Sequence, residues 1–160
     1  MRFILFDKIV DFKKNVSGVG IKNVTVGEDF FIEHYTRRPI MPEPLVVEAV
    51  AQIGGWVISV SGDFKYAAIL AKIGNAKFYK SIRPGDQLRI DVEILSLNDY
   101  GASIRGVAKV EGTVVAEVDN LTYILHELSE EMKKDTINTN IYNSGGFLDN
   151  NGVCKKESQN

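Results

Sequence analysis

His34 and Glu48 are the two side chains whose types and spacing most invite chemistry. Imidazole exchanges a proton near neutral pH, which suits a general base. Fourteen residues further on, Glu48 interrupts the run Leu45-Val-Val-Glu-Ala-Val-Ala-Gln52-Ile-Gly-Gly-Trp56, which is otherwise almost wholly apolar. A charge in such a setting is costly unless it is neutralised or paired. A carboxyl held protonated among apolar side chains can act as a general acid. The pair therefore suits proton removal at one atom and proton delivery at another.

The elements that must position this pair can be read from the surrounding pattern. Pro42 and Pro44 open a helix, because proline is well tolerated in a first turn whose N–H groups lack intrahelical partners. From Leu45 to Val60 the strongly polar side chains are Glu48, Gln52 and Ser59, and spacings of four and seven place them on one stripe. Gly54 and Gly55 each cost about 1 kcal/mol of helix propensity relative to alanine, so a close approach by another backbone or a ligand is expected there. Phe3–Phe12 and Val19–Val26 read as strands separated by turn residues near Asn15 and Gly18. Tyr66–Ile73, Asn75–Tyr79, Gln87–Leu95, Ala102–Val110 and Thr113–Leu125 read as further strands, with Glu111-Gly112 as a two-residue hairpin turn. One buried helix wrapped by an antiparallel sheet is an α+β arrangement of the hot-dog type. Residues 1–126 form that domain. Beyond it, Glu127–Lys134 suits a short charged helix, and the polar segment Asp135–Asn160 suits a flexible tail.

At 160 residues the chain can bury a single core, and 44% hydrophobic with 25% charged residues places it among ordinary globular domains. No uninterrupted apolar run approaches the ~20 residues of a membrane span, and the short N-terminal run reads as a structural element rather than a signal peptide. The single cysteine, Cys154, forms no internal disulfide, which fits a reducing, cytoplasmic setting. A net charge of −2 argues against generic nucleic-acid binding. Between Arg37 and Arg83, however, seven basic residues face three acids. That surplus suits an acidic partner or a phosphate-bearing ligand, unless acids folded nearby balance it.

The segment His34-Tyr-Thr-Arg-Arg-Pro-Ile-Met-Pro-Glu-Pro-Leu45, followed by Glu48-Ala-Val-Ala-Gln52, resembles the 3-hydroxyacyl-[acyl-carrier-protein] dehydratases of bacterial fatty-acid synthesis. In that family His-Phe-Pro-Gly-x-Pro-Ile-Met-Pro-Gly-Val-Leu leads into a helix containing Glu-Ala-Met-Ala-Gln, with the same His-to-Glu spacing. Ile21–Phe31 and Lys77-Phe-Tyr-Lys-Ser-Ile-Arg-Pro-Gly-Asp-Gln-Leu88 also match in order, so the resemblance covers about Met1 to Leu125. Tyr35-Thr36-Arg37 and Glu43-Pro44 depart from the pattern. The family's glycine at the helix start offers an N–H to the thioester carbonyl. Glu43 keeps an N–H but adds a carboxylate, and Pro44 has none to offer. Loss of one such donor costs ~2.7–4 kcal/mol of transition-state stabilisation.

The resemblance implies a hydro-lyase that removes water across C2–C3 of a 3-hydroxyacyl thioester to leave the trans-2-enoyl thioester. It implies no metal and no cofactor beyond the phosphopantetheine that carries the substrate on an acidic acyl carrier protein. In this reading His34 is the base and Glu48 the acid, Gln52 orients Glu48, and Glu43 lies at the carbonyl. Phe30, Phe31 and Trp56 line an acyl tunnel, and Arg37, Arg38, Lys77, Lys80 and Arg83 meet the carrier. The resemblance further implies a homodimer in which His34 and Glu48 come from different subunits, with trimers of dimers among relatives. Two alternatives share these features: an acyl-thioesterase, and a non-catalytic carrier-binding or partner subunit. Asp86 reads as a turn residue, and His126 and Cys154 as structural or surface residues.

Overall fold

A nineteen-residue helix, α2 (Glu43–Ser61), is the axis of the fold. The computed structural model describes residues 3–33 and 39–149. Strands β1 (Lys8–Lys13) and β2 (Ser17–Asn23) and the short helix α1 (Asp29–Glu33) precede α2. Strands β3 (Tyr66–Phe78), β4 (Gln87–Leu97), β5 (Gly101–Val110) and β6 (Thr113–Glu127) and helix α3 (Glu130–Asn143) follow it. The strands form one antiparallel sheet in the order β1-β2-β4-β5-β6-β3.

The sheet curls around α2, which carries buried Val46, Val50, Ile53, Val57 and Ile58. By length and composition alone α2 would pass for a membrane span, yet most of its surface is buried within the sheet. Small residues make the close fit possible. A Cβ at Gly18, Gly20 or Gly106 would collide with Val57, Ile53 or Val50 respectively, so bare strand backbone receives the branched side chains of the helix. The relation reverses at Gly54, where an added Cβ would strike the Ile104 side chain and lie 2.9 Å from the Tyr123 hydroxyl. The glycine thus makes room for two side chains of the sheet. This is the hot-dog arrangement.

The β4–β5–β6 meander matches the sequence reading closely. Glu111 (φ 48°) and Gly112 (φ 77°) both take the left-handed conformation that a tight two-residue hairpin requires. Three features differ from expectation. The first strand starts later, at Lys8, and leaves Phe3–Phe6 as an irregular apolar segment with Leu5 and Phe6 buried. Tyr66–Phe78 is one strand with a register shift between Leu70 and Lys72 rather than two strands. Order also extends past Asp135. Helix α3 is capped by the Ser129 hydroxyl, which accepts from the Met132 N–H (3.3 Å), and it runs to Asn143. Ile137, Ile141 and Phe147 then pack against the core and Leu148 is buried, so enough apolar surface is covered to offset the cost of ordering this segment. The remainder of the expected tail, with Cys154, lies outside the described residues.

Candidate active site

The polar stripe of α2 opens onto a cavity of about 390 Å³. Glu48, Gln52 and Ser59 border it, together with Gly55 and Trp56 of the same helix. Ala68 and Leu70 of β3 and Tyr123 of β6 form a second wall, and Phe3, Ile4 and Phe6 form a third. Most of the lining is apolar, with a few polar groups at fixed positions, as expected of a site for a small molecule with an aliphatic portion.

Glu48 is held by its neighbour one turn on. The Gln52 side-chain amide donates to Glu48 Oε1 (2.9 Å) and to the Phe3 carbonyl oxygen (2.9 Å). The Gln52 carbonyl oxygen accepts from the Leu5 N–H (2.8 Å). Three bonds therefore fix the amide, and the N-terminal segment is tied to α2 at the carboxylate. Across the cavity, the buried Tyr123 hydroxyl donates to the Ala51 carbonyl oxygen (2.8 Å). Burial, and then the charge of Glu48, push the Tyr123 phenol above the ordinary tyrosine range, so it stays a donor.

A second hollow of about 260 Å³ lies at the N-terminus of α2, lined by residues including Pro42, Glu43, Pro44 and Lys80. Glu43 and Pro44 are exposed. The chain enters the helix through Met41, whose N–H donates to the Ile82 carbonyl oxygen (2.8 Å). Lys77, Lys80 and Arg83 are exposed near this end. The Arg83-to-Asp86 turn is closed by Asp86, whose carboxylate accepts from the Arg83 N–H (2.8 Å), in keeping with its reading as a turn residue.

The structure thus brings Glu48, Gln52 and Trp56 to one cavity, and Glu43 and Lys80 to the neighbouring hollow. Phe30 and Phe31 pack on each other 4.5 Å apart on α1, with Phe31 in the core, and they do not line the cavity of Glu48. His34, Tyr35, Thr36, Arg37 and Arg38 lie outside the described residues. Among the described residues no cluster of three or more His, Cys, Asp and Glu side chains could hold a metal ion. Sequence reasoning missed the N-terminal residues Phe3, Ile4 and Phe6, and also Tyr123 and Asn140, as cavity walls. The alternation Leu121, Tyr123, Leu125 in β6 gave a signal for Tyr123; the others carried none.

Residues 1–119 match the family model of the FabA-like domain. The chain is 43% identical over 118 residues to the 3-hydroxyacyl-[acyl-carrier-protein] dehydratase FabZ of Halalkalibacterium halodurans, covering 73% of this chain and 84% of that one. It is 40% identical over 126 residues to the FabZ of Bacillus subtilis, covering 78% and 89%. The chain belongs to the FabZ dehydratase family. As a family member it is a hydro-lyase of fatty-acid biosynthesis. Among solved structures it is similar to a Streptococcus mutans protein bound to acetyl-CoA (TM-score 0.63, 18% identity, covering 81% of this chain and 96% of that one). It is also similar to zebrafish thioesterase superfamily member 2 (TM-score 0.58, 13% identity, covering 72% and 79%). At such identities these two establish the hot-dog fold alone. The stripe of α2 that carries Glu48 and Gln52 falls inside the FabA-like match, whereas helix α3 lies wholly beyond it.

Proposed function

We propose that this FabZ-family dehydratase converts 3-hydroxyacyl thioesters to trans-2-enoyl thioesters with His34 as base and Glu48 as acid. The observation that carries the assignment is the position of Glu48, clamped by Gln52 at the border of an apolar cavity. In the forward direction His34 takes a proton from C2, and the electron pair moves to form the C2–C3 double bond. The C3–O bond breaks as Glu48 delivers a proton to the hydroxyl, and water leaves. The proton on the imidazolium is then returned to the Glu48 carboxylate through solvent, which restores both groups. The N-terminus of α2 contributes positive potential at the thioester oxygen, where the Glu43 N–H is the candidate donor.

The acyl chain lies along the α2 stripe towards Trp56, while phosphopantetheine reaches in from the hollow beside Glu43 and Lys80. Exposed Lys77, Lys80 and Arg83, joined by Arg37 and Arg38, form the docking surface for an acidic acyl carrier protein in the cytoplasm. No resident cofactor is required. The active unit is a homodimer, either alone or as trimers of dimers. Support for dimerisation comes from β3, which is thirteen residues long and pairs along one edge with β6 and with no other strand among the described residues. A long free edge is a template for a second copy.

The test is turnover of 3-hydroxyacyl carrier protein, followed by mass spectrometry. Enoyl product that falls by about a hundredfold or more in both His34→Ala and Glu48→Gln supports the assignment, since positioned acid–base groups contribute about 10²–10⁴ in rate. Release of free thiol without enoyl product would instead mark a thioesterase. Carrier binding without turnover would mark a partner subunit.

A further inference from the structure

We infer that the C-terminal extension, Leu128–Asp149, sets the length of acyl chain this enzyme accepts by closing the far end of the Glu48 cavity. The inference rests on the dehydratase reading for the identity of the ligand, and on separate geometry for the closure. Glu48 and Trp56 both border the cavity and lie eight residues apart on α2. At 1.5 Å per residue that is roughly 12 Å of helix. Asn140 of α3 also lines the cavity, and its carbonyl oxygen accepts from the Trp56 indole N–H (3.5 Å). An acyl chain extended from Glu48 along this stripe meets α3 where Asn140 closes on Trp56, so on this path its length is read against α3.

The stop is held in place from several directions. Phe147 packs edge-on against Trp56 with centroids 6.2 Å apart, and Phe12 also meets the indole edge-on at 5.5 Å. The Ser144 carbonyl oxygen accepts from the Ile9 N–H (3.2 Å), which ties the end of α3 to β1. Gly145 (φ 63°) passes so close to β1 that a Cβ there would lie 2.5 Å from Lys8 Cβ and 3.0 Å from the Asp7 carbonyl oxygen. Any side chain at Gly145 must therefore lift the extension off β1, without altering a residue that lines the cavity. The FabA-like match ends at residue 119, within β6, so the stop lies wholly outside the matched residues.

Two variants of the full chain test this in opposite directions. Each is assayed for kcat/KM with 3-hydroxybutyryl, 3-hydroxydecanoyl and 3-hydroxypalmitoyl carrier protein. The wild type discriminates against palmitoyl. Gly145→Val raises the palmitoyl-to-butyryl ratio, and Asn140→Phe lowers the decanoyl-to-butyryl ratio, each by about tenfold or more, the scale of a lost or blocked pocket contact. An unchanged length profile in folded, active variants overturns the inference. If no form turns over any chain length, the dehydratase reading fails separately. The emission of Trp56, the only tryptophan, then decides the closure during titration with decanoyl- and palmitoyl-N-acetylcysteamine. A length preference shifted by either variant supports the closure, and an unshifted one overturns it. Should Gly145→Val fail to fold, Asn140→Phe, at a partly exposed helix position, carries the test alone.

Discussion

Gln52 donates a hydrogen bond to Glu48 from one turn away while its other polar contacts reach the backbone of Phe3 and Leu5. The amide is thus a bridge between the carboxylate and the N-terminal segment that walls the cavity. Replacing it with leucine keeps the volume but leaves Glu48 without this orienting donor. Gln52→Leu should lower kcat by about tenfold to a hundredfold, the scale of a misplaced catalytic group, with a smaller change in KM. Steady-state kinetics beside a thermal melt checks this. A fall in stability with kcat intact would make Gln52 purely structural.

Gly54 and Gly55 are adjacent on α2 yet should respond oppositely to substitution. A Cβ at Gly54 has no room beside Ile104 and Tyr123, whereas at Gly55 the nearest atom is a Tyr123 ring carbon at an ordinary 3.8 Å. Gly55→Ala should therefore stabilise the fold by up to about 1 kcal/mol through helix propensity. Gly54→Ala should lose that gain to overpacking, which typically costs about 1–3 kcal/mol. Urea unfolding of the two variants measures the difference, and equal midpoints would contradict the packing seen at Ile104.

The same two glycines show where sequence reading succeeds and where it stops. Their cost to α2 was legible, and so was the need for a close approach, but the partner was not, because Ile104 and Tyr123 are some fifty to seventy residues away. Local periodicity revealed α2, its polar stripe and the β4–β5–β6 meander, since each pattern is written within one element. Helix α3 carries its apolar contacts as Ile137 and Ile141, one turn apart, in a mostly polar stretch whose Met132 and Tyr142 are exposed. That stripe is too narrow to announce a packed helix, and its receptor is assembled from β1 and Trp56 far upstream. The site divides in the same way. The shared stripe of Glu48 and Gln52 was readable from spacing, and Tyr123 left a signal in the alternation of β6, whereas Phe3 and Asn140 become cavity walls only on folding.

Ile69 on β3 lies opposite Ile124 on β6, and both are more than half exposed, with Ile73 nearly as open. An apolar patch on a free-edged strand is what a second copy would cover. Ile69→Lys combined with Ile73→Lys should shift the protein from dimer to monomer in analytical ultracentrifugation. Activity should fall with it, because Ala68 and Leu70 of the same strand line the Glu48 cavity. A doubly substituted protein that sediments with the wild-type mass would remove this surface from the interface.

Tyr123 links the fold to alkaline pH. Burial, followed by the charge of Glu48, raises its folded pKa above the ordinary value. In the unfolded chain the phenol titrates near the model-peptide value of about 10. Above that pH the unfolded state releases a proton that the folded state retains, so the unfolded state binds fewer protons and stability falls as pH rises. The contribution is complete below about pH 10 and is lost progressively from there towards the folded value. Tyr123→Phe removes the titrating group and should flatten the fall in melting temperature above pH 10, the ordinary tyrosine value of about 10 marking its onset. At neutral pH the same variant loses the bond to the Ala51 carbonyl oxygen and should be about 0.5–1.5 kcal/mol less stable. Melting curves across the alkaline range decide the matter: parallel wild-type and Tyr123→Phe profiles would assign the pH dependence to other groups.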